Sequence, residues 1–451
     1  MDNRNKRILA GIIVMLLAAL GMGYIIWAQD DSGKVAALSE IKNIETIISD
    51  RNETLNKANK LVQGYYYQEA IDELNKATPL VILSDADSKY LDEDSTNKIL
   101  KEEELVTSEK FQSRIKEIQD LKSSLVKYNG KVQHIFFHSL IVYPALAFDN
   151  KGRSANGYNM WMVTVSEFKK MLPELRDRGY ILYNLSDYVE ADQANPGQIK
   201  LKDIMVPPGK TPLVISIDDV SYYDYMKPDG FANKLVPGND GKIYTEVISP
   251  DGTKALTRDG DVMPILDDFV TAYPDFSYRG AKGTIALTGF AGGMGYNFIA
   301  EKDPAKKAAL IAEAKKTADL LKKNGWLFAC HSYTHNQYFR DGTMTLEKMK
   351  HDLDRWILYM EPVVGKTNIY ISPFGTRYKN TDPSFRYIVS NGFNIFCPVG
   401  NERKIYFNGD NIVMARVDID GFSMNVRKDE ITDNYFNVDQ VYDKSRPKLV
   451  Y

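Results

Sequence analysis

The distribution of apolar residues divides the chain into three parts. An uncharged stretch near the N-terminus is followed by a region in which apolar residues recur at helical spacing. Short apolar runs of strand type then alternate with amphipathic stretches to the end of the chain. This pattern predicts an apolar helix in residues 1–30, a helical spacer or stalk in residues 31–130 and an α/β domain in residues 131–451.

The third part contains at least seven strand-like runs: QHIFFHSLIV, YILYNL, PLVISID, KGTIALTG, WLFACH, NIYISPFG and FNIFCPV. Amphipathic helices separate several of them, and in one of these helices Ser166 is the predicted N-cap and Gly179 the stop. Such alternation predicts a parallel sheet, and the number of strands favours a barrel over an open sheet. Residues 222–278 break the alternation, and SPDGTKALTRDGD within them predicts a hairpin on an inserted loop.

The stretch Ile8–Ala28 carries no charge and, as a helix, spans roughly 30 Å, the thickness of a bilayer core. Basic residues precede it and acidic residues follow it, which predicts a cytoplasmic N-terminus. We expect an uncleaved single-pass anchor with residues 131–451 on the extracytoplasmic side of the cell membrane. The alternative is a cleaved signal peptide, whose apolar region is usually shorter.

Composition narrows the classes of function. A formal net charge of −3 over 451 residues gives no electrostatic case for binding nucleic acid. The two cysteines, Cys330 and Cys397, allow at most one disulfide, so the fold does not depend on a disulfide framework. The helical region contains one unit similar to a helical-hairpin repeat, but a single unit does not form an array. A protein partner for that region is left open.

Histidine is rare, yet four of the five histidines form two pairs at i, i+4 spacing: His134 with His138, and His331 with His335. His331 ends a predicted strand, and the carboxyl ends of parallel strands gather at one face of a barrel. On one helical turn, His331 and His335 would share a face and bind one ion. The pair alone is a weak signal for a metal site, and it becomes a prediction of one only together with carboxylates at another strand end.

The adjacent carboxylates Asp218 and Asp219 end another predicted strand. Two imidazoles and one carboxylate are a common ligand set for a catalytic metal that keeps an open coordination position. In extended backbone, successive side chains point to opposite sides. One of the two acids is therefore expected to ligate the metal while the other addresses water.

Three motifs resemble one family. SIDDVSYYDY is similar to the T-F-D-D-G motif of the polysaccharide deacetylases, the NodB-homology enzymes of carbohydrate esterase family 4. HSYTH matches their H-[ST]-x-x-H motif, and ISPFG resembles their R-x-P-[FY]-G motif. The motifs occur in the family's order, and the resemblance extends over residues 132–420, about two thirds of the chain.

The resemblance implies a distorted (β/α) barrel that removes N-acetyl groups from amino sugars of a cell-surface or exported glycan. It also implies a divalent metal, with zinc expected and other transition ions open. The implied roles are metal ligation by Asp219, His331 and His335, general base catalysis by Asp218, and stabilisation of the oxyanion near Pro373 and Phe374.

The chain departs from the family pattern in its third motif and after the acid pair. Ile371 replaces the motif's arginine, so the usual partner of the base is missing, and Arg377 and Arg416 are the alternatives for that role. Val220 replaces the glycine that follows the acid pair. These departures support a rival interpretation, in which the protein is an inactive relative that binds glycan or organises an envelope complex.

The family's C-terminal catalytic histidine is also missing, because no histidine follows His351. In a permuted branch of the family an N-terminal strand carries this acid, and FFHSL resembles that strand. The resemblance implies that His138 donates the proton to the departing amine. His134 is expected to be a core or edge residue, and His351 to be a solvated residue on a helix.

Overall fold

A computed structural model describes residues 3–149 and 154–450, with side chains described for 32–85, 87–149 and 154–450. Within the residues whose side chains are described, no helix is both long and apolar enough to cross a membrane. The anchor predicted for Ile8–Ala28 lies outside them and stays a prediction. Two compact units make up the chain, Met1–Ser124 and Leu125–Tyr451.

The helices are α1 Asn3–Gln63, α2 Tyr67–Asn75, α3 Asp85–Ser88, α4 Glu93–Leu105, α5 Ser108–Ser123, α6 Pro144–Ala147, α7 Ala155–Trp161, α8 Val165–Asp177, α9 Val262–Ala272, α10 Pro304–Lys323, α11 Gln337–Arg340, α12 Leu346–Val364, α13 Pro383–Ser390, α14 Gly421–Val426, α15 Lys428–Asn434 and α16 Val438–Val441. The strands are β1 Val126–Lys127, β2 Gln133–Phe137, β3 Tyr180–Leu182, β4 Val189–Ala191, β5 Ile199–Leu201, β6 Met205–Val206, β7 Thr211–Ile217, β8 Lys234–Pro237, β9 Ile243–Ile248, β10 Lys254–Thr257, β11 Thr284–Leu287, β12 Leu327–Cys330, β13 Ile369–Ile371, β14 Ile395–Cys397, β15 Ile405–Phe407, β16 Ile412–Met414 and β17 Val417–Asp418.

The first unit is helical. Ile41, Ile44 and Ile48 on α1 are buried, as the apolar periodicity predicted. The guanidinium of Arg51 is buried among the helices, where it donates to the carbonyl oxygens of Thr78 and Val106 at 2.6 and 2.8 Å. These bonds satisfy a buried cation and tie α1 to the segments that follow it.

The second unit contains a ten-stranded sheet in the order β15-β16-β14-β13-β12-β11-β7-β2-β17, with β3 beside β7. Every pair of neighbours is parallel except β15 and β16. β17 follows β16 closely in sequence but lies at the other end of the order, so the sheet curls as a half-barrel. The predicted α/β class with a mainly parallel sheet is confirmed.

The two faces of the curled sheet have different surroundings. Alternate strand residues, among them Ile215 and Cys330, share one apolar cluster with Phe168 of α8, Leu321 of α10 and Trp356 of α12. The other residues of the same strands form a second cluster inside the curl, which includes Val214, Ala286, Ala329, Ile371 and Met414. Because side chains alternate along a strand, residues in phase with the second cluster point to the inner, concave face.

Residues between β7 and β11 form the predicted insertion. Its strands β8, β9 and β10 pair antiparallel as a separate three-stranded sheet, and β9 and β10 are the predicted hairpin. The predicted N-cap of α8 is wrong by two residues. Thr164 caps α8, because its hydroxyl accepts from the amide of Glu167 while the Glu167 carboxylate accepts from the amide of Thr164. Gly179 has φ of 83° and follows the helix as predicted.

Candidate metal centre

The carboxyl ends of β7 and β12 bring Asp219, His331 and His335 together. One ligand atom from each of the three residues lies within 4.8 Å of the other two. The Nε2 atom of His335 is 3.9 Å from Oδ2 of Asp219, and the two imidazole rings have centroids 4.9 Å apart. Two nitrogens and one carboxylate oxygen at this separation fit a single divalent cation.

The HSYTH segment is a loop and not the helical turn that the i, i+4 spacing suggested. Ser332 and His335 have φ values of 63° and 43°, in the left-handed region that non-glycine residues seldom adopt. Asp352 of α12 stabilises this backbone by accepting from the amides of Tyr333 and Thr334 at 2.7 and 2.8 Å. The loop geometry, and not helical periodicity, turns both imidazoles toward Asp219.

The acid pair also departs from the expected extended backbone. β7 ends at Ile217, and Asp219 has φ of 58°. The left-handed turn lets both carboxylates reach the same site, since Oδ2 of Asp218 lies 3.9 Å from Nε2 of His331. Backbone in this region costs energy and is kept only where its surroundings hold it. The two acids therefore differ in their hydrogen-bond partners, and not by pointing to opposite sides of a strand as expected.

Two hydroxyl groups hold Asp219. Thr288 and Tyr223 donate to the same carboxylate oxygen, Oδ1, at 2.7 and 2.8 Å. Oδ2 is the oxygen that faces His335. Burial alone raises the pKa of Asp219, but the neighbouring imidazoles His335 and His331 outweigh it, so the pKa lies well below the ordinary value. Asp219 is accordingly anionic and presents one free oxygen to the site.

Asp218 pairs with Arg416, which resolves the alternatives left open by the missing third-motif arginine. The guanidinium donates to both carboxylate oxygens at 2.7 and 3.0 Å, and both side chains are buried. Burial raises the pKa of Asp218, but the charge and hydrogen bonds of Arg416, together with His331 and His138, more than offset it, and the net pKa is lowered. Arg377 instead pairs with the partly exposed Glu402.

His331 is oriented by the backbone of β13. Its Nδ1 lies 2.9 Å from the carbonyl oxygen of Ile371, which accepts only if Nδ1 carries the proton. Nε2 is then the free ligand atom, an arrangement typical of metal-bound histidine. Burial lowers the pKa of His331, although Asp218 and Asp219 act in the opposite sense. A neutral imidazole is the form that ligates a metal.

The other histidine pair lies along the concave face at β2. His138 follows the last residue of β2, is partly buried, and is near enough to affect the pKa of both Asp218 and Asp219. His134 lies deeper and is buried, with Nε2 3.0 Å from Oγ of Ser216. The structure thus brings His138 to the acid pair and keeps His134 in the core.

The third-motif turn borders the site from β13. Phe374 has φ of 55°, and its half-exposed ring has its centroid 4.3 Å from that of His335. The amides of Gly375 and Thr376 donate to the carbonyls of Ser372 and Pro373, so these two groups are already used. Pro373 is buried and starts the turn. The main chain at Phe374 is therefore close to the metal centre.

Sequence reasoning missed three residues that hydrogen-bond to the triad or to its loop. Tyr223 and Thr288 carried no distinctive signal before the fold was known. Asp352 did carry one, because it is an acid in phase with the buried residues Met349 and Trp356 on the apolar face of α12. A carboxylate on a core-facing position is expected to have a specific partner.

Protein-family models, curated proteins and solved structures contain no match for this chain.

Proposed function

We propose that this protein is a membrane-anchored, extracytoplasmic, metal-dependent deacetylase that hydrolyses N-acetyl groups of amino sugars in a cell-surface or exported glycan. The observation that carries the proposal is a metal-ligand triad beside a second carboxylate that is held by a buried arginine. The three motifs that resemble polysaccharide deacetylases lie on the elements that form this site, and the curled sheet is compatible with their distorted (β/α) barrel.

Asp219, His331 and His335 would hold the cation, with zinc as the expected ion. A divalent cation supplies Lewis acidity, which lowers the pKa of water and polarises the acetyl carbonyl. The donor atoms fit this group because Nε2 of His331 and Oδ2 of Asp219 face the centre while the opposite atoms of both side chains are hydrogen-bonded.

Asp218 would act as the general base by accepting a proton from the attacking water. Its lowered pKa keeps it ionised at neutral pH, and the two bonds from Arg416 fix its orientation. In the family the arginine of the third motif holds the base, and here Ile371 of β13 occupies that position. Arg416, which directly precedes β17, can hold Asp218 equally well because its guanidinium forms two parallel hydrogen bonds to the carboxylate. Arg416 would therefore replace the missing third-motif arginine as the partner of the base, which supports the active interpretation.

His138 would protonate the departing amine, which is a poor leaving group without a proton. Its position beyond β2, close to both acids, supports this role. The main-chain amide of Phe374 is our candidate for a donor to the oxyanion, since its turn borders the triad and the neighbouring amides are used.

Release of acetate tests the proposal. Purified full-length protein is incubated with peptidoglycan, poly-N-acetylglucosamine and N-acetylglucosamine oligomers, with and without added zinc. We expect metal-dependent acetate release from one of these glycans, and a loss on the order of 10²-fold or more in Asp218→Asn, which keeps its metal. Sugar affinity without turnover in the metal-loaded wild type would instead support the glycan-binding alternative.

Cell fractionation tests the location. The full-length chain is expected with the membrane, and protease added to intact cells is expected to remove the catalytic unit. A mature N-terminus near Gln29 would show that the apolar stretch is a cleaved signal.

A further inference from the structure

Three aromatic rings form a stack beside the metal-ligand triad. The ring of Tyr223 is nearly parallel to that of Tyr225, with centroids 5.6 Å apart and an interplanar angle of 9°. Phe290 is also nearly parallel to Tyr223, with centroids 5.7 Å apart and an angle of 15°. Tyr223 is the central ring, while Tyr225 and Phe290 are 54% and 44% exposed. The stack therefore presents two accessible aromatic surfaces.

Hydrogen bonds fix the stack to the triad from two sides. Tyr223 donates to Oδ1 of Asp219 at 2.8 Å. The amide of Phe290 donates at 2.8 Å to the carbonyl of Tyr333, which lies between the two ligand histidines. A ligand bound on the stack would thus be held at a constant distance from the metal ligands.

The cavity at the stack has the mixed character of a sugar site. It has a volume of about 350 Å³, and polar side chains line it together with the rings: Ser221, Asp224, Lys227 and Asn297. A sugar ring has apolar C–H faces that pack on aromatic faces and a rim of hydroxyl groups that needs polar partners. The combination of exposed rings with polar groups in one cavity therefore fits a sugar better than a wholly apolar ligand.

We propose that Tyr225 and Phe290 form a subsite for a pyranose ring that neighbours the sugar undergoing deacetylation. The inference rests on the proposed function and makes it more specific: the substrate is a glycan of several residues, and the enzyme recognises its chain as well as one acetyl group. Tyr223 is a positioning residue that connects the subsite to Asp219.

Kinetics on substrates of different length test this subsite. Tyr225→Ala and Phe290→Ala are compared with wild type on the N-acetylglucosamine monomer and pentamer. Each variant should raise KM for the pentamer about tenfold, as expected for the loss of one stacked ring, with kcat and metal content unchanged. The kcat/KM for the monomer should stay the same. Tyr273→Ala is the matched control, because this exposed tyrosine follows the last residue of α9, outside the site.

Binding measurements separate failure of the subsite from failure of the proposed function. If both variants keep the wild-type KM for the pentamer while acetate is released, the subsite is wrong and the deacetylase assignment stands. If the wild type releases no acetate, the subsite is tested by calorimetric titration of the protein with the pentamer. Binding that Tyr225→Ala abolishes supports the subsite, whereas no binding to wild type overturns it. A wild-type dimer that Tyr225→Ala converts to a monomer would also overturn it, because the rings would then contact a second copy.

Discussion

The two histidine pairs have the same sequence spacing but different geometry. His331 and His335 lie on a loop whose left-handed residues bring the imidazoles together, with ring centroids 4.9 Å apart. His134 and His138 lie along the direction of β2, so that one is buried under the site and the other stands at its edge. Four residues of strand span roughly 13 Å, too far for two imidazoles to share an ion.

The contrast teaches that the supporting residues, and not the spacing, decide what a histidine pair can do. Asp352 stabilises the HSYTH loop by accepting hydrogen bonds from two of its backbone amides, and the carbonyl oxygen of Ile371 orients His331. The β2 pair has no such loop. Its deeper member is connected through Ser216 to Arg416, which also donates to Ser216 Oγ at 3.1 Å. The rings of one pair are thus close enough to bind one ion, whereas the other pair extends from the site into the core.

The largest difference between the pairs should be seen in metal content. The double variant His331→Ala, His335→Ala is expected to lose nearly all of an otherwise equimolar divalent metal, because two of three ligands are removed. Elemental analysis of the purified full-length protein measures this loss. His351→Ala is the matched control, since His351 is exposed on α12. Equimolar metal retained in the double variant would show that the ligands are misassigned.

Removing Arg416 tests the importance of the buried cation that bonds both to Asp218, beside the first histidine pair, and to Ser216, beside the second. Arg416→Met leaves Asp218 buried without its partner, which should lower the free energy of unfolding by about 3–5 kcal/mol. Arg377→Met is the control, and loss of its exposed pair with Glu402 should cost less than about 1 kcal/mol. Urea unfolding measures both. Equal effects of the two substitutions would contradict the importance of the buried pair.

The sequence was sufficient for the seven strands predicted from apolar runs and for the residues that meet in the triad, because strand-type runs and rare residue types are local signals, but it did not predict the short strands β15, β16 and β17. It was not sufficient for the backbone that orients them. The helical turn expected for HSYTH and the extended backbone expected for Asp218 and Asp219 are both replaced by left-handed residues. These conformations depend on distant groups such as Asp352 and Thr288, which only the fold brings close.

Arg416 illustrates the same limit. Sequence reasoning left it equivalent to Arg377, because neither lies at the motif position. Arg416 lies between β16 and β17. Its backbone forms a parallel bridge with Val399, and this bridge fixes the position from which the Arg416 side chain enters the concave face. Long-range strand pairing of this kind has no counterpart in a local pattern.

Activity should separate the members of the β2 pair. His138→Ala is expected to keep metal and fold but to lose on the order of 10²-fold in rate on the N-acetylated glycan, since the amine leaves unprotonated. The loss on an aryl acetate ester should be much smaller, because that leaving group needs no proton. His134→Ala should change stability more than rate. Wild-type deacetylation by His138→Ala would assign the proton to a tyrosine or to water.

The smallest effect concerns pH and the buried member of the pair. Burial, followed by the charge of Arg416, lowers the pKa of His134 well below its ordinary value of about 6.5. Between the two pKa values the unfolded chain binds more protons than the folded protein, so stability must fall as the pH drops below about 6.5. This one group contributes at most about 1.4 kcal/mol per pH unit to the pH dependence of the free energy of unfolding.

The variant His134→Gln removes this titration and should make the free energy of unfolding less dependent on pH between about pH 7 and pH 5. His331, whose pKa burial also lowers, remains in the variant and leaves part of the slope. Urea unfolding at several pH values measures the difference, and parallel curves for wild type and His134→Gln would mean that His134 is not held neutral beneath the site.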